Sequence, residues 1–117
     1  MITIETLRKL ALSFPEATEE PHFEKTSFRV KKKIFATYDE KLKRACIKLS
    51  EIDQNVFSSA DKSIIYPLEN KWGKQGWTLI EMEKINKDLF IDALTTAYCE
   101  TAPKKLAEKL RPNNEYP

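Results

Sequence analysis

Apolar and polar positions near the start of the chain follow the periodicity of an α-helix. The apolar residues recur every three or four positions, at Ile4, Leu7, Ala11 and Phe14. Thr3 stands where a helix N-cap is needed, and Pro15 follows the last apolar position. Because this spacing puts the apolar side chains on one side, it predicts an amphipathic helix over residues 4–14.

The next part of the chain changes to the two-residue alternation that is typical of β-strands. Four strands are predicted, at 18–23, 26–30, 34–38 and 44–49. Pro21 has no backbone N–H and therefore confines the first of these strands to an edge of the sheet. The gaps between the strands are too short for parallel crossovers, so they predict antiparallel hairpins with tips at 31–33 and 39–43.

Helical and strand patterns alternate in the second half. Ser50 is placed to cap a helix over 51–60, whose apolar stripe is formed by Ile52, Val56 and Phe57. Further elements are predicted in this order: strands at 64–68 and 77–83, a helix from Asn86 to about residue 100, and a short last helix begun by Pro103. This order predicts an α+β fold, with helices packed on one face of an antiparallel sheet and the other face partly open.

Length and composition indicate a single globular domain, 1–117, in which residues 112–117 form a loose tail. No apolar run approaches the roughly 18–20 residues of a membrane span, and the first residues lack the pattern of a secretion signal. Cys46 and Cys99 are far apart inside apolar patterns, which is typical of reduced, structural thiols. We therefore expect a cytoplasmic monomer without membrane association.

The residue types that catalytic and cofactor sites need are scarce. His22 is the only histidine, which excludes a metal site built from several histidines. The two glycines, Gly73 and Gly76, cannot form a glycine-rich phosphate-binding loop. Ser27 is the serine nearest to His22 in sequence, and nothing around it marks a nucleophile. We therefore expect no enzymatic reaction, no metal and no cofactor.

The charge is distributed unevenly along the chain. The whole molecule carries a formal net charge of only +2, but residues 25–48 contain nine basic and two acidic side chains and so carry +7. The basic residues of this block are Lys25, Arg29, Lys31, Lys32, Lys33, Lys41, Lys43, Arg44 and Lys48. Such a block creates a local electrostatic field even when the net charge is small.

The basic block has two interpretations. In one, the lysines simply keep two hairpin tips solvated. In the other, the tips are basic fingers that contact a phosphate backbone: Lys31, Lys32 and Lys33 at one tip, Lys41, Lys43 and Arg44 at the other, and Arg29 and Lys48 between them. Trp72 and Trp77, on either side of Lys74, are the aromatic candidates for stacking, although Trp77 suits a place in the core.

Several segments resemble the MmcQ/YjbR-like proteins. They are Pro21-His22-Phe23-Glu24-Lys25-Thr26-Ser27-Phe28-Arg29-Val30, Lys33-Ile34-Phe35-Ala36, Lys74-Gln75-Gly76-Trp77, Ala97-Tyr98 and Ala102-Pro103-Lys104-Lys105-Leu106. The resemblance covers most of the chain and rests on the order and spacing of these segments. It implies a bacterial protein with a fold similar to that of the frataxin/CyaY-like proteins, and a DNA-binding function through a "double wing". A fold alone does not settle a function.

Two features depart from what the resemblance implies. The family often has glycine where this chain has Lys32, and lysine enters a positive-φ turn at a cost of about 1 kcal/mol, so a turn of another type is an alternative here. Frataxins bind iron through an acidic ridge, whereas the first helix predicted here contains only Glu5 as an acidic residue. Since hard cations need clustered oxygen ligands, we do not expect iron binding.

Together these observations lead to two hypotheses from different classes. The first is weak, salt-dependent binding of double-stranded DNA through two basic hairpin wings, with Lys74 as a further contact. The alternative is a module that binds a protein or a small molecule and has no nucleic-acid role.

Overall fold

The computed structural model describes residues 1–110, and the tail expected at 112–117 lies outside them. The helices are α1 (Ile4–Ser13), α2 (Glu51–Ala60), α3 (Lys71–Lys74), α4 (Lys87–Thr101) and α5 (Lys104–Ala107). The strands are β1 (Ala17–His22), β2 (Lys25–Val30), β3 (Lys33–Asp39), β4 (Arg44–Lys48), β5 (Ile65–Pro67) and β6 (Trp77–Glu81). Every strand predicted from the alternation is present, with small differences at its ends.

The three predicted N-caps hold the first turns of the long helices. The Thr6 N–H donates to Thr3 Oγ1 over 3.2 Å at α1. Ser50 Oγ and Asn86 Oδ1 accept equivalent hydrogen bonds at α2 and α4. Each cap satisfies a backbone donor that the helix itself cannot pair, which fixes where the helix begins.

The six strands form one antiparallel sheet in the order β1-β2-β3-β4-β6-β5. The first four strands follow one another as consecutive hairpins, as the short gaps predicted. β6 then pairs with β4, and β5 pairs with the outer side of β6. The predicted strand with Pro21 is β1, and it lies at an edge of the sheet as expected.

The core lies between one face of the sheet and the helices α1 and α4. Phe14, Phe35 and Tyr98 form an aromatic group there, with the rings of Phe35 and Tyr98 edge-on at 5.4 Å between centroids. The buried Tyr98 hydroxyl donates to the Pro15 carbonyl oxygen over 2.6 Å, so the ring is fixed at both ends. The α+β prediction, with helices on one face of an antiparallel sheet, is confirmed.

The prediction for the buried side of α2 is wrong. Ile52 and Val56, two of the three residues of its expected apolar stripe, are 75% and 61% exposed. The helix instead buries Gln54 and Ser58. The Gln54 amide donates to the Gly73 carbonyl oxygen over 2.9 Å and to Thr78 Oγ1 over 3.0 Å. Hydrogen bonds to these groups, rather than apolar contacts alone, therefore orient α2.

The hairpin between β2 and β3 turns through Lys31 and Lys32, whose φ angles are 50° and 69°. A two-residue loop with positive φ at both positions is the geometry of a type I′ turn, which suits the twist of a hairpin. The alternative that Lys32 forces another type of turn is therefore wrong. The turn keeps the geometry that normally favours glycine and holds two lysines in it.

We expect Lys32→Gly to stabilise the protein by about 0.5–1 kcal/mol. The left-handed conformation costs an L-residue roughly 1–2 kcal/mol, and glycine avoids this cost. Part of the stabilisation is offset because glycine has more conformational freedom in the unfolded chain. Urea denaturation measures the change. Lys62→Gly is the matched control, because Lys62 has no positive φ and glycine should there be destabilising. A lower denaturation midpoint for Lys32→Gly would contradict the prediction.

No helix within residues 1–110 is long and apolar enough to cross a membrane.

Candidate functional site

The sheet face opposite α1 and α4 carries the residues that the helices leave uncovered. The strand register aligns Ser27, Thr37, Cys46, Leu79 and Tyr66 in one row across β2, β3, β4, β6 and β5. Alternation sends the neighbours of these residues into the core and keeps this row on the second face. The partly open face predicted from the sequence is therefore present, and its residues are mixed in polarity.

A β-bulge in β3 changes which residues reach this open face. Phe28 pairs with Ala36 and Arg29 pairs with Ile34, so Phe35 is an extra residue in β3. Phe35 turns into the core, where it is fully buried. As a result Ile34 and Thr37 point to the same face although they are three positions apart, and both line one cavity.

The centre of the open face holds a cavity of about 360 Å³ that we call the apolar cavity. Its lining residues are His22, Lys25, Ile34, Thr37, Cys46, Leu68, Trp72, Trp77 and Leu79. Both tryptophans of the chain are among them. Trp77 is half-buried on this face, so the expectation that it belongs to the core is wrong. Trp72 is 47% exposed.

A set of hydrogen bonds fixes the two tryptophan-bearing segments. Asn70 Oδ1 accepts the Trp72 N–H over 2.9 Å and begins α3. The Gln54 amide bonds the Gly73 carbonyl oxygen in α3 and also reaches the Trp77 carbonyl oxygen at 3.3 Å. Gln54 therefore holds both walls of the apolar cavity from the side of α2. The sequence gives no signal for this role, because a polar residue in a helix usually faces solvent.

The floor of the apolar cavity carries no charge at neutral pH. Burial raises the pKa of the Cys46 thiol to about 11, so the thiol stays protonated and unreactive. Cys46 and Cys99 are both free thiols and partly buried, which agrees with the expected reduced state. Leu79 and Ile34 complete an apolar surface around Cys46.

A second cavity of about 520 Å³ adjoins the apolar cavity and shares Ile34 and Trp77 with it. Four cationic side chains line it, and we call them the basic cluster: Arg29, Lys32, Lys33 and Lys48. One carboxylate, that of Glu100, lines it as well. Four of the nine predicted contact residues are thus brought together, and they come from β2, the first hairpin tip, β3 and β4.

Arg29 is the most firmly oriented member of the basic cluster. Its Nε donates to Ser27 Oγ over 3.0 Å, and its Nη2 donates to the Pro21 carbonyl oxygen over 3.4 Å. Ser27 Oγ in turn donates to the Glu20 carbonyl oxygen over 2.8 Å. This chain of bonds keeps the guanidinium along the sheet face, where Ile34 is its cross-strand partner.

The two predicted wings do not form one surface. Lys31 and Lys32 precede β3, and the tip with Lys41 and Lys43 follows it. The tips therefore lie at opposite ends of this seven-residue strand, about 20 Å apart at ~3.3 Å per residue. Successive tips of an antiparallel meander always alternate in this way.

Two of the remaining predicted residues, Lys31 and Lys41, have acidic partners at the surface. Lys31 Nζ lies 2.7 Å from Glu16 Oε1, and this contact lowers the pKa of Glu16. Lys41 Nζ lies 3.7 Å from Glu24 Oε1.

Arg44 and Lys74 also lie apart from the basic cluster. Arg44 Nη1 donates to the Tyr66 hydroxyl over 3.2 Å, and that hydroxyl also bonds Glu81. The hydrogen bond that Arg44 donates to Tyr66 is the largest influence raising the pKa of Arg44. Lys74 is exposed at the end of α3 and lines neither cavity.

Comparison with known proteins places the chain in a family. The YjbR family model matches residues 12–100. No curated protein matches the chain. The chain is similar to the crystal structure of Deinococcus radiodurans protein DR2400, which carries the DUF419 domain, with a TM-score of 0.78 and 18% identity over 99% of this chain and 97% of that one. At this identity the likeness shows the shared fold. Because the family model spans most of its length, the chain belongs to the YjbR family.

Proposed function

We propose that this protein binds DNA weakly, through phosphate contacts made by the basic cluster. The observation that supports the proposal is the convergence of Arg29, Lys32, Lys33 and Lys48 around one cavity. Cations gathered in a concave site attract a polyanion more strongly than the same cations spread over a surface. The two separated wings are replaced in this proposal by one basic site.

The distribution of ion pairs favours the basic cluster over the other lysines. Within residues 1–110, Lys32, Lys33 and Lys48 form no ion pair, whereas Lys31 and Lys41 each have an acidic partner. Arg29 also has an acidic partner, since its Nε lies 4.0 Å from Glu20 Oε1, and Glu100 lines the same cavity. In the part of the chain that the structure describes, three of the four cations of the cluster are thus without an ion pair, whereas Lys43 is the one such lysine at the other tip.

Phosphate contacts of this kind position a protein on DNA but carry no sequence information. We therefore expect binding that is weak, similar for different sequences and strongly dependent on salt. Four neutralised phosphates give a slope of log K against log [salt] of about −3.6 for duplex DNA.

Charge reversal at each hairpin tip tests this proposal. We expect Lys32→Glu with Lys33→Glu to weaken binding of random-sequence DNA at all salt concentrations. The dependence of log K on log [salt] should become shallower, from a slope of about −3.6 to a slope between about −1.8 and zero, because two of the four contacts are lost. Lys41→Glu with Lys43→Glu is the matched control, with the same change of charge at the opposite end of β3. Fluorescence anisotropy with labelled DNA measures both.

Each result has a definite meaning. Equal losses in the two double variants would show that net charge, and not the basic cluster, governs binding. A loss only in the control variant would move the site to the other tip. If neither single-stranded nor duplex DNA binds at ~50 mM salt, the proposal is rejected.

A second candidate function is supported by the apolar cavity. Its volume of about 360 Å³ falls in the range of small-molecule sites, and its lining is mostly apolar with a few polar groups. Under this alternative the protein is a small-molecule-binding module, and the basic cluster selects anionic ligands. Under this alternative, neither single-stranded nor duplex DNA would displace an anionic small molecule that is bound in the apolar cavity.

A further inference from the structure

The apolar cavity and the second cavity, which the basic cluster lines, adjoin at Ile34 and Trp77, and we call the pair the groove. The groove starts on the open sheet face and reaches the end of α4 at Glu100 and Thr101. A ligand that lies across Trp77 meets cations on one side and an apolar cavity on the other. The groove therefore fits a molecule that has a row of negative charges beside flat apolar groups.

We infer that this groove binds single-stranded nucleic acid, with an unpaired base in the apolar cavity and the adjacent phosphates on the basic cluster. The inference rests on the proposed function and adds the form of the strand. In a duplex the bases are stacked inside and paired, and the phosphates lie outside, so a duplex can reach the cluster but cannot fill the cavity. An unpaired base can stack on an aromatic ring, whatever its identity.

Trp72 is the residue that most directly suits stacking. It is a large aromatic side chain left 47% exposed at the wall of the cavity, where most tryptophans would be covered. Lys71 Nζ lies 5.5 Å from its ring centroid, which places a further cation beside the ring. Asn70 and Gln54 fix the segment that carries the ring. Binding of a ligand therefore costs little further conformational entropy in this segment.

The charges at the far end of the apolar cavity limit the length of strand that can bind. Lys25 lines the cavity there and provides one further cation. Beyond it, three carboxylates share a concave surface with Lys25 and Lys41: Glu24, Asp39 and Glu40. These acidic groups repel a phosphate backbone, so the strand occupies only the part of the groove between the basic cluster and Lys25.

The lining also implies how a base is recognised. Leu68, Leu79 and Ile34 offer no hydrogen bonds, and the polar groups of the lining are the Thr37 hydroxyl, the Cys46 thiol, the His22 imidazole and the Lys25 ammonium. The larger part of the lining is apolar or aromatic, so we expect stacking to contribute more than contacts with the edges of the base, and the preference among base sequences to be small.

Intrinsic fluorescence can test the inference directly, because both tryptophans of the chain line the groove. We expect a labelled oligothymidine to bind about tenfold more tightly than a duplex of equal length and to quench the tryptophan emission. An abasic oligonucleotide of equal length carries the same phosphates without bases. We expect it to bind like the duplex and to leave the emission unchanged.

Trp72→Ala is the corresponding variant. We expect it to weaken binding of the oligothymidine by between about 5- and 100-fold, in line with the stacking of one base, and to leave duplex binding unchanged. Ile52→Ala is the matched control, since it shortens an exposed apolar side chain on α2 that lines neither cavity. Unchanged circular dichroism of both variants confirms that they are folded.

Equal binding of oligothymidine, duplex and abasic strand would overturn the inference and leave the proposed function intact. An unchanged oligothymidine affinity in folded Trp72→Ala would do the same. Absence of binding by all three probes at ~50 mM salt would overturn the inference and the proposed function together.

Discussion

Replacing Gly76 by alanine is expected to destabilise the protein by about 3 kcal/mol or more. Gly76 has φ of +103°, and a Cβ there would lie 1.8 Å from the Leu49 carbonyl oxygen. The overlap is with backbone, which cannot rotate away. The Gly76 carbonyl oxygen also accepts a hydrogen bond from the Leu49 N–H over 2.9 Å. The backbone at Leu49 and the backbone at Gly76 are therefore hydrogen-bonded at the point where an added Cβ would push them apart. Backbone strain and overpacking each cost roughly 1–3 kcal/mol.

Urea denaturation of Gly76→Ala measures this effect, and Lys74→Ala is its control in the same turn. Lys74 is exposed, so its truncation should change the free energy of unfolding by less than about 0.5 kcal/mol. If Gly76→Ala lowered the free energy of unfolding by less than about 1 kcal/mol, the prediction would be wrong. Such a result would mean that the start of β6 can move away from Leu49 at little cost. The same variant also displaces Trp77, so its emission should change even where the protein is folded.

Phe35→Ala is expected to cost about 3–5 kcal/mol, as large-to-small changes of buried aromatic residues do. Phe35 is fully buried against Phe14 and Tyr98, with ring centroids 6.0 Å and 5.4 Å away. Its removal leaves a cavity lined by two rings and an adjoining helix. It also removes the packing that favours the bulge, because an alanine side chain buries little apolar surface when it turns into the core.

Phe23→Ala is the matched control for Phe35→Ala, because the same side chain is lost from a position that is 93% exposed. We expect a change within about 0.5 kcal/mol for the control. If the two variants lost similar stability, the aromatic group at the centre of the core would not have the role assigned to it. Both variants keep the net charge, so urea denaturation compares packing alone.

Much of the fold was predictable because local patterns and global structure agree. The alternation at 44–49 identifies β4, and the capping residues Thr3, Ser50 and Asn86 mark the starts of three helices. The meander follows from loops too short for crossovers. The opposite placement of the two tips follows from the same geometry, although the sequence analysis left open whether the tips share one face.

The parts that were missed depend on contacts between distant residues. The stripe of Ile52 and Val56 predicts the wrong side of α2, because Gln54 binds backbone groups 19 and 23 residues away. A hydrophobicity pattern records apolar burial and gives no sign of an amide that bonds distant carbonyl groups. The four-residue helix α3 is too short for any periodicity to identify.

The candidate site was predictable in composition and not in arrangement. Arg29 and Lys48 lie on the open sheet face as the alternation predicts. The ion pair of Lys31 with Glu16 could not be seen, because it joins residues from different elements. The bulge at Phe35 had one signal in the sequence, the run of three apolar residues Ile34-Phe35-Ala36 within an alternating segment, which a regular strand cannot bury on one face.

The two edges of the sheet have a consequence for the protein at high concentration. Each edge strand contains a proline, Pro21 in β1 and Pro67 in β5, and β5 is only three residues long. An edge that lacks a backbone N–H pairs poorly with a strand of another molecule. The open sheet face can therefore remain exposed for a ligand while polymerisation through the strand edges is disfavoured.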